Sequence, residues 1–294
     1  MMIAYFEKIR MRMEFSKKLI CLFIVATTLF WGCESLSLDE KVEDYPVFIK
    51  RIPISDLQTM NEQYHEKNNG LICSTLNEYG YTGFSRVLFP NDVNPCLNRN
   101  QIKEEQEFRS DLIEEVKSQL SDNSEYTGVI NSEELIIKEI ISLDGCTICE
   151  GPNINNVPLQ WKFTFQPQFV NGIEVESTEL VAYLDVNGIN RIWGNWYQIT
   201  DPGFIEFGSN NALKEVVGLK LEYVNSKNQM FEQEILAEHI LEKPSLKYSP
   251  IKTEEGIEIH KVWIVNIIQE NTDTIRWQVY LSTISGEILN IREL

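Results

Sequence analysis

The sequence predicts an α+β fold, antiparallel sheets covered by helices, on three observations. Past residue 134 the chain passes through stretches rich in β-branched and aromatic residues that alternate with polar ones. Glycine-bearing turn dipeptides, Asn187-Gly188 and Ser285-Gly286, separate several of these stretches. Segments with apolar residues at helical spacing stand apart from them. Alternation marks half-buried strands, spacing of three and four marks helices, and helices grouped away from consecutive strands mark α+β.

At the N-terminus, Lys17 and Lys18 lead into an apolar run from Leu19 to Trp31 that stops at Gly32-Cys33, after which the chain turns acidic. A positive, an apolar and a small-residue stretch in that order is an export signal. The run is shorter than the ~20 residues that span a bilayer as a helix. Translation from Met13 fits equally, because Met1 to Arg12 adds no signal feature. Gly32-Cys33 resembles a bacterial lipobox, which implies cleavage before Cys33 and lipidation of its thiol and new amine. An ordinary cysteine after an uncleaved anchor is the alternative, and both place the remainder outside the cytoplasm, periplasmic or at the surface of the cell envelope.

Residues 33–50 read as an acidic tether. Residues 51–150 read as an N-terminal α+β region containing cysteines. Its local structure is hard to assign up to Leu97, where short apolar runs alternate with turn residues. Asn100 to Leu120 is clearer, with Ile102, Phe108, Leu112, Ile113, Val116 and Leu120 near helical spacing on a charged background. Strands follow at Leu135 to Leu143 and Leu159 to Phe165. Leu180 to Asp185 and Ile189 to Ile199 then flank Asn187-Gly188, a strong hairpin signal because both turn positions favour positive φ. Asn210 to Tyr223 and Met230 to Leu241 carry helical periodicity. Leu246 to Ile251, Ile257 to Ile268, Thr274 to Thr283 and Glu287 to Ile291 return to strands. Residues 151–208 therefore form an antiparallel sheet region and 209–294 a helix-plus-sheet domain.

Two stretches resemble a known family. Phe169 to Ile199, with Gly172-Ile173-x-Val175 and Asp185-x-x-Gly188, resembles the repeat in propeptides of secreted thermolysin-like metallopeptidases. Leu246 to Leu289 resembles the PepSY module that follows it, through Leu246-x-Tyr248-x-Pro250, Trp263-x-Val265, Trp277-x-Val279-Tyr280 and Ser285-Gly286-Glu287-Ile288-Leu289. Leu281-Ser282 stands where the family has an aspartate. The resemblance implies two PepSY- or cystatin-like α+β subdomains and a noncatalytic role: binding a protein or peptide, including inhibition of a peptidase. The chain ends five residues after Leu289, so an envelope protein or peptidase is expected as a separate partner.

Charge narrows the partners further. Five Lys/Arg and two Asp/Glu leave with residues 1–32, so 21 basic side chains face 42 acidic ones, a net charge of −21. Nucleic acid is repelled by that balance, and so is an electrostatic grip on anionic lipid, which leaves the acyl group as the membrane attachment.

No catalytic or metal constellation stands out, and no cofactor is expected. His65, His239 and His260 are far apart in sequence and none lies in H-E-x-x-H. His239 reads as a residue on a charged helical face and His260 as a strand residue, both solvated or structural. Gly83-Phe-Ser85-Arg-Val87 lacks the second glycine of a nucleophile elbow. Asp185-Val-Asn187-Gly188-Ile-Asn190 has its glycine too early for a calcium loop. Cys73, Cys96, Cys146 and Cys149 are an even set in an oxidising compartment, which favours two disulfides. Three connectivities exist; Cys73 with Cys96 and Cys146 with Cys149 is preferred, because Gly145 and Gly151-Pro152 bracket the C-T-I-C segment as a tight loop. A four-cysteine zinc site lacks its second C-x-x-C, and thiol redox chemistry at Cys146 and Cys149 lacks an evident helix after the first cysteine. Asp273-Thr274-Ile275 resembles a short O-glycosylation pattern of exported Bacteroidetes proteins. The remaining alternative is a structural or glycan-binding envelope protein stacking sugars on Trp193 or Trp196, which three-residue spacing places on opposite faces of a regular strand.

Overall fold

A computed structural model describes residues 45–83, 100–102, 111–147, 156–201, 203–224, 228–270, 272 and 274–294. Cys33 and the export signal lie outside these residues, as do Phe108, Ser85, Asp273, Cys96 and Cys149. Asp44–Leu294 forms one unit. It is a mixed α+β structure, mostly antiparallel sheets with few helices. No helix among the described residues is long and apolar enough to cross a membrane.

The chain enters through β1 (Val47–Lys50), which pairs antiparallel with β13 (Gly256–Ile268). Residues 47–50 are therefore not tether. Their in-out burial is that of a strand and contradicts a spacer running to residue 50. Helix α1 (Ile54–Lys67) follows Pro53 and stops at Asn68, beyond which Asn69 takes a left-handed φ of 53°. Leu57, Met60 and Tyr64, three and four residues apart, turn one face inward. Two short strands, β2 (Thr75–Leu76) and β3 (Thr82–Gly83), close a small hairpin.

Helix α2 (Asp111–Asp122) lies in the second half of the segment expected to be helical from residue 100, and 103–110 lie outside the described residues. Ile102 is outside any helix, and its N–H donates to the Pro158 carbonyl of β5 at 3.0 Å. Val116 and Leu120, four apart, are fully buried. A short helix, α3 (Ser124–Thr127), and a 3-10 turn (Ser132–Glu134) lead to the first large sheet.

That sheet has the order β4 (Ile137–Cys146), β5 (Asn156–Phe165), β8 (Val181–Asp185), β9 (Gly188–Trp193), all antiparallel. The β4–β5 pairing runs across residue 150, so the expected boundary between 51–150 and 151–208 divides one sheet. Phe163, Phe165, Ala182 and Ile192 share one buried cluster with Tyr64, Val116 and Leu120. Burying one such phenylalanine contributes about 1.5–3 kcal/mol. The β8–β9 turn is Val186-Asn187, one residue earlier than expected, and Gly188 already pairs with Asp185 at φ 115°. Asp185 Oδ1 accepts the Asn187 N–H at 2.7 Å, a local bond that holds Asn187 in the turn without positive φ. Strands β6 (Phe169–Val170) and β7 (Ile173–Glu174) form a hairpin beside this sheet in sequence.

Helix α4 (Ser209–Val216) ends at Val217, which is extended with φ −67° and ψ 128°. The helical readings of 210–223 and 230–241 fail beyond it. Lys220–Val224 is strand β10 and Met230–Glu234 is strand β11, paired as a hairpin, with a 3-10 turn at Ala237–His239. Tyr223 lies opposite Phe231 and stacks on it at 5.6 Å, and Lys220 bridges Glu232 at 2.9 Å, cross-strand pairs that a helix would separate.

The last sheet contains β12 (Ser245–Lys252), β13, β14 (Ile275–Ser282) and β15 (Ile288–Glu293), with β1 beside the first part of β13. These four strands match the expected ones to within two residues. One face contributes Val265, Ile267, Trp277, Val279 and Leu281 to a buried cluster with Ala212 and Val216 of α4.

Candidate functional site

The two large sheets meet at a seam built from β7, the residues after β9, and β12. Val175 forms a parallel bridge with Tyr248, and the Glu176 N–H donates to the Tyr248 carbonyl at 2.9 Å. Tyr197, Tyr248, Ile257 and Ile259 pack with Val175 in one buried cluster. At the seam's centre Lys261 Nζ donates to Asp201 Oδ1 at 3.0 Å, with side-chain exposures of 6% and 13%. The Tyr45 hydroxyl accepts the Lys261 N–H at 2.6 Å.

Burial alone would raise the Asp201 carboxyl, but donors surround it. Asn171 Nδ2 donates at 2.7 Å and the Gly203 N–H at 3.0 Å, and with the Lys261 ammonium they hold it well below the usual carboxylate range. The Tyr248 hydroxyl faces the same carboxylate without a well-formed hydrogen bond. Such a pair is already satisfied by the protein and offers no acceptor or proton for chemistry; it holds the seam.

Away from α4, the other face of the last sheet sets a small buried cluster of Val262, Ile264 and Tyr280 beside a line of polar side chains. Cross-strand register places Asn266 opposite Gln278 opposite Arg292, and Ile264 opposite Tyr280 opposite Asn290. Side chains along it form a relay: Tyr280 donates to Gln278 at 3.0 Å, Gln278 to Asn266 at 3.0 Å, and Asn266 to Glu242 at 2.5 Å. Burial, then the nearby Glu176 carboxylate, pushes Tyr280 up to about 12, so the phenol stays a donor. Arg292 lies over its ring, 5.0 Å from the centroid.

Where this face reaches the seam, a cavity of about 460 Å³ opens, lined by Ser177, Tyr197, Lys252, Ile257, Asn290 and Arg292 among others. Ser177 is held at φ 60°, a left-handed conformation uncommon for a serine. The side chains of Ser177, Lys252, Asn290 and Arg292 make no hydrogen bond or ion pair within the protein among the described residues. Glu176, next to Ser177, is engaged by the Ser249 hydroxyl at 2.8 Å; Glu78, whose carboxyl Lys252 helps to lower, is bridged by Arg51 at 2.6 Å. What the cavity presents is donors and positive charge.

The residues singled out from the sequence lie elsewhere. Cys73 is buried between α1 and β2, its N–H bonded to the Asn190 carbonyl at 2.7 Å, and Cys146 is the last residue of β4. Both are disulfide-bonded. Gly145 pairs with Val157 inside the sheet, so the C-T-I-C segment begins in a strand and not, as expected, in a loop bracketed by that glycine.

His239 is not on a charged helical face. It is 7% exposed in the 3-10 turn, and its Nδ1 accepts the Leu236 N–H at 3.1 Å. His260 lies on β13 with Nε2 2.8 Å from Glu258. Trp196 is buried and cannot stack on a sugar, while Trp193 is half-buried against Tyr183 and Arg191. Among the described residues no group of three His, Cys, Asp or Glu is placed to hold a metal. Sequence reasoning missed Ser177, Lys252, Asn290 and Arg292. The one available signal was parity on β15, which puts Asn290 and Arg292 on the same face.

No family model matches the chain. No curated protein matches it either. Among solved structures, the Bacillus megaterium YpeB C-terminal domain is similar at 10% identity and a TM-score of 0.27, over 83% of this chain and 99% of that one.

Proposed function

We propose that this protein is an exported binding module, lipid-anchored through Cys33, that takes an extended segment of a protein partner and is not itself a catalyst. The observation that supports this reading is the outer edge of β15. It has β14 on one side and no strand among the described residues on the other, and Asn290 and Arg292 line the cavity beside it. An open strand edge presents unpaired main-chain donors and acceptors, which an added strand satisfies while neighbouring pockets select its side chains.

In this reading α4 to β15 is a PepSY-like domain with α4 laid on its sheet, and β6 to β9 belongs to the preceding propeptide-like repeat. Cys73–Cys96 and Cys146–Cys149 disulfides brace the N-terminal region. The partner is an extracytoplasmic protein, with an envelope peptidase, inhibited by occupancy, the one the motif resemblance favours. Attachment through an acyl group suits a chain this acidic.

Site-specific photocrosslinking in intact cells tests it. A crosslinking residue at Asn290 is expected to capture a discrete protein adduct, and the same residue at Ile54, 86% exposed on α1, is not. No adduct at Asn290, or the same adducts from both positions, would count against the reading.

A further inference from the structure

The cavity's chemistry narrows what the β15 edge would hold. Lys252 closes β12 and Arg292 stands near the end of β15, so two cations from opposite edges of the sheet face one space. The Asn290 amide and Ser177 hydroxyl face it as further donors, and none of the four makes a hydrogen bond or ion pair within the protein among the described residues, Arg292 resting only on the face of the Tyr280 ring. Donors without acceptors and cations without a carboxylate partner in one concavity call for an anion with several acceptor oxygens.

Charge and space then choose among anions. The chain carries a net charge of −18, so a multiply charged phosphate meets more long-range repulsion than a singly charged carboxylate does. About 460 Å³ exceeds what a bare ion needs and leaves room for the side chain that carries it. The cavity also lies beside the β15 edge, where an added strand would run.

We propose that this cavity holds the terminal carboxylate of an extended peptide, gripped by Arg292 and Lys252 with Asn290 and Ser177 donating. The inference rests on the strand-edge reading of β15 and adds the identity of the group bound there.

The full-length chain in neutral detergent, presented with randomised hexapeptides lacking Asp and Glu, tests this directly. The free-acid library is expected to be retained about tenfold or more over its C-terminally amidated counterpart. That preference should vanish in the double variant Arg292→Gln, Lys252→Gln and persist in Lys243→Gln, an exposed cation outside the cavity lining. Both cavity cations are exposed, so circular dichroism of the double variant should match the parent. Equal retention of acid and amide, or retention of neither, overturns the proposal. So does displacement of the acid library by inorganic phosphate at equal concentration, which would make this a general anion site. If the acid preference fails while the Asn290 crosslink persists, only the carboxylate assignment falls; if the crosslink fails while the preference persists, the partner segment along β15 falls instead.

Discussion

Lys261 Nζ sits 3.0 Å from Asp201 Oδ1, and this one ion pair ties β13 of the last sheet to the segment that leaves the first. Both side chains are largely withdrawn from water, so neither charge can be left alone cheaply. Removing one partner of a buried pair strands the other, which costs about 3–5 kcal/mol. Lys261→Met is therefore expected to lower the urea unfolding free energy by about 3 kcal/mol. The double variant Lys261→Met, Asp201→Leu should recover part of that loss, because no orphaned charge remains. A double variant less stable than Lys261→Met would show that the pair's worth lies in the bonds Asp201 makes to Asn171 and Gly203.

The same carboxylate sets an acid limit. Asp201 is held below its unfolded value, so its contribution is fully present above the ordinary carboxylate range, near ~4, and is lost as pH falls towards the folded value. Stability measured by urea should fall between ~pH 5 and ~pH 3, and Asp201→Asn should make that fall shallower. Parallel curves for parent and variant would assign the acid limit to other carboxylates.

Much of the last sheet was legible because β12 to β15 are dense in β-branched and aromatic residues and Ser285-Gly286 closes their final turn. The β10–β11 hairpin was not, and the reason is arithmetic. Leu219 and Tyr223 are four apart, as are Phe231, Ile235 and His239, and a spacing of four fits both a helical face and one side of a strand. Only the cross-strand partners Tyr223–Phe231 and the diagonal Lys220–Glu232 ion pair resolve the choice, and those are tertiary facts. Helix α1 escaped for a related reason, since its inward face is Leu57, Met60 and Tyr64 among polar residues, a stripe too thin to stand out. Of the cavity, only the shared parity of Asn290 and Arg292 on β15 could be read. Ser177, Lys252 and Arg292 meet through two sheet registers and the seam, and no spacing in the sequence encodes that.

His239 is predicted to be structural. Its Nδ1 accepts the Leu236 N–H at 3.1 Å and lies 3.3 Å from Gln233 Nε2, closing the turn that follows β11. His239→Ala would leave a part-buried N–H without its acceptor, an expected loss of about 1–2 kcal/mol in urea unfolding. His239→Asn, which keeps an acceptor on a shorter arm, should lose less. Equal losses from the two variants would point to packing of the ring as the cause.

A close backbone approach just past β9, at Gly194, makes the last prediction. Gly194 has φ 83°, and a Cβ there would stand 2.0 Å from the Glu179 carbonyl oxygen, a backbone atom that cannot rotate aside. Its own carbonyl accepts the Thr82 hydroxyl at 2.5 Å, which fixes the peptide from the other side. Gly172 supplies the control, since it has a similar φ of 78° in an exposed turn with nothing within 4 Å of a Cβ. The left-handed conformation alone costs an alanine roughly 1–2 kcal/mol, so Gly172→Ala should fall in that range. Gly194→Ala carries the same conformational cost plus the displacement of β8 from β9, and it is expected to lose more than about 3 kcal/mol or to fail to fold. Hydrogen exchange resolves where the damage falls. Amides of Val181 to Leu184 should lose protection in Gly194→Ala and keep it in Gly172→Ala. If the two substitutions prove equally costly, conformation rather than the close approach to Glu179 is what requires glycine at 194.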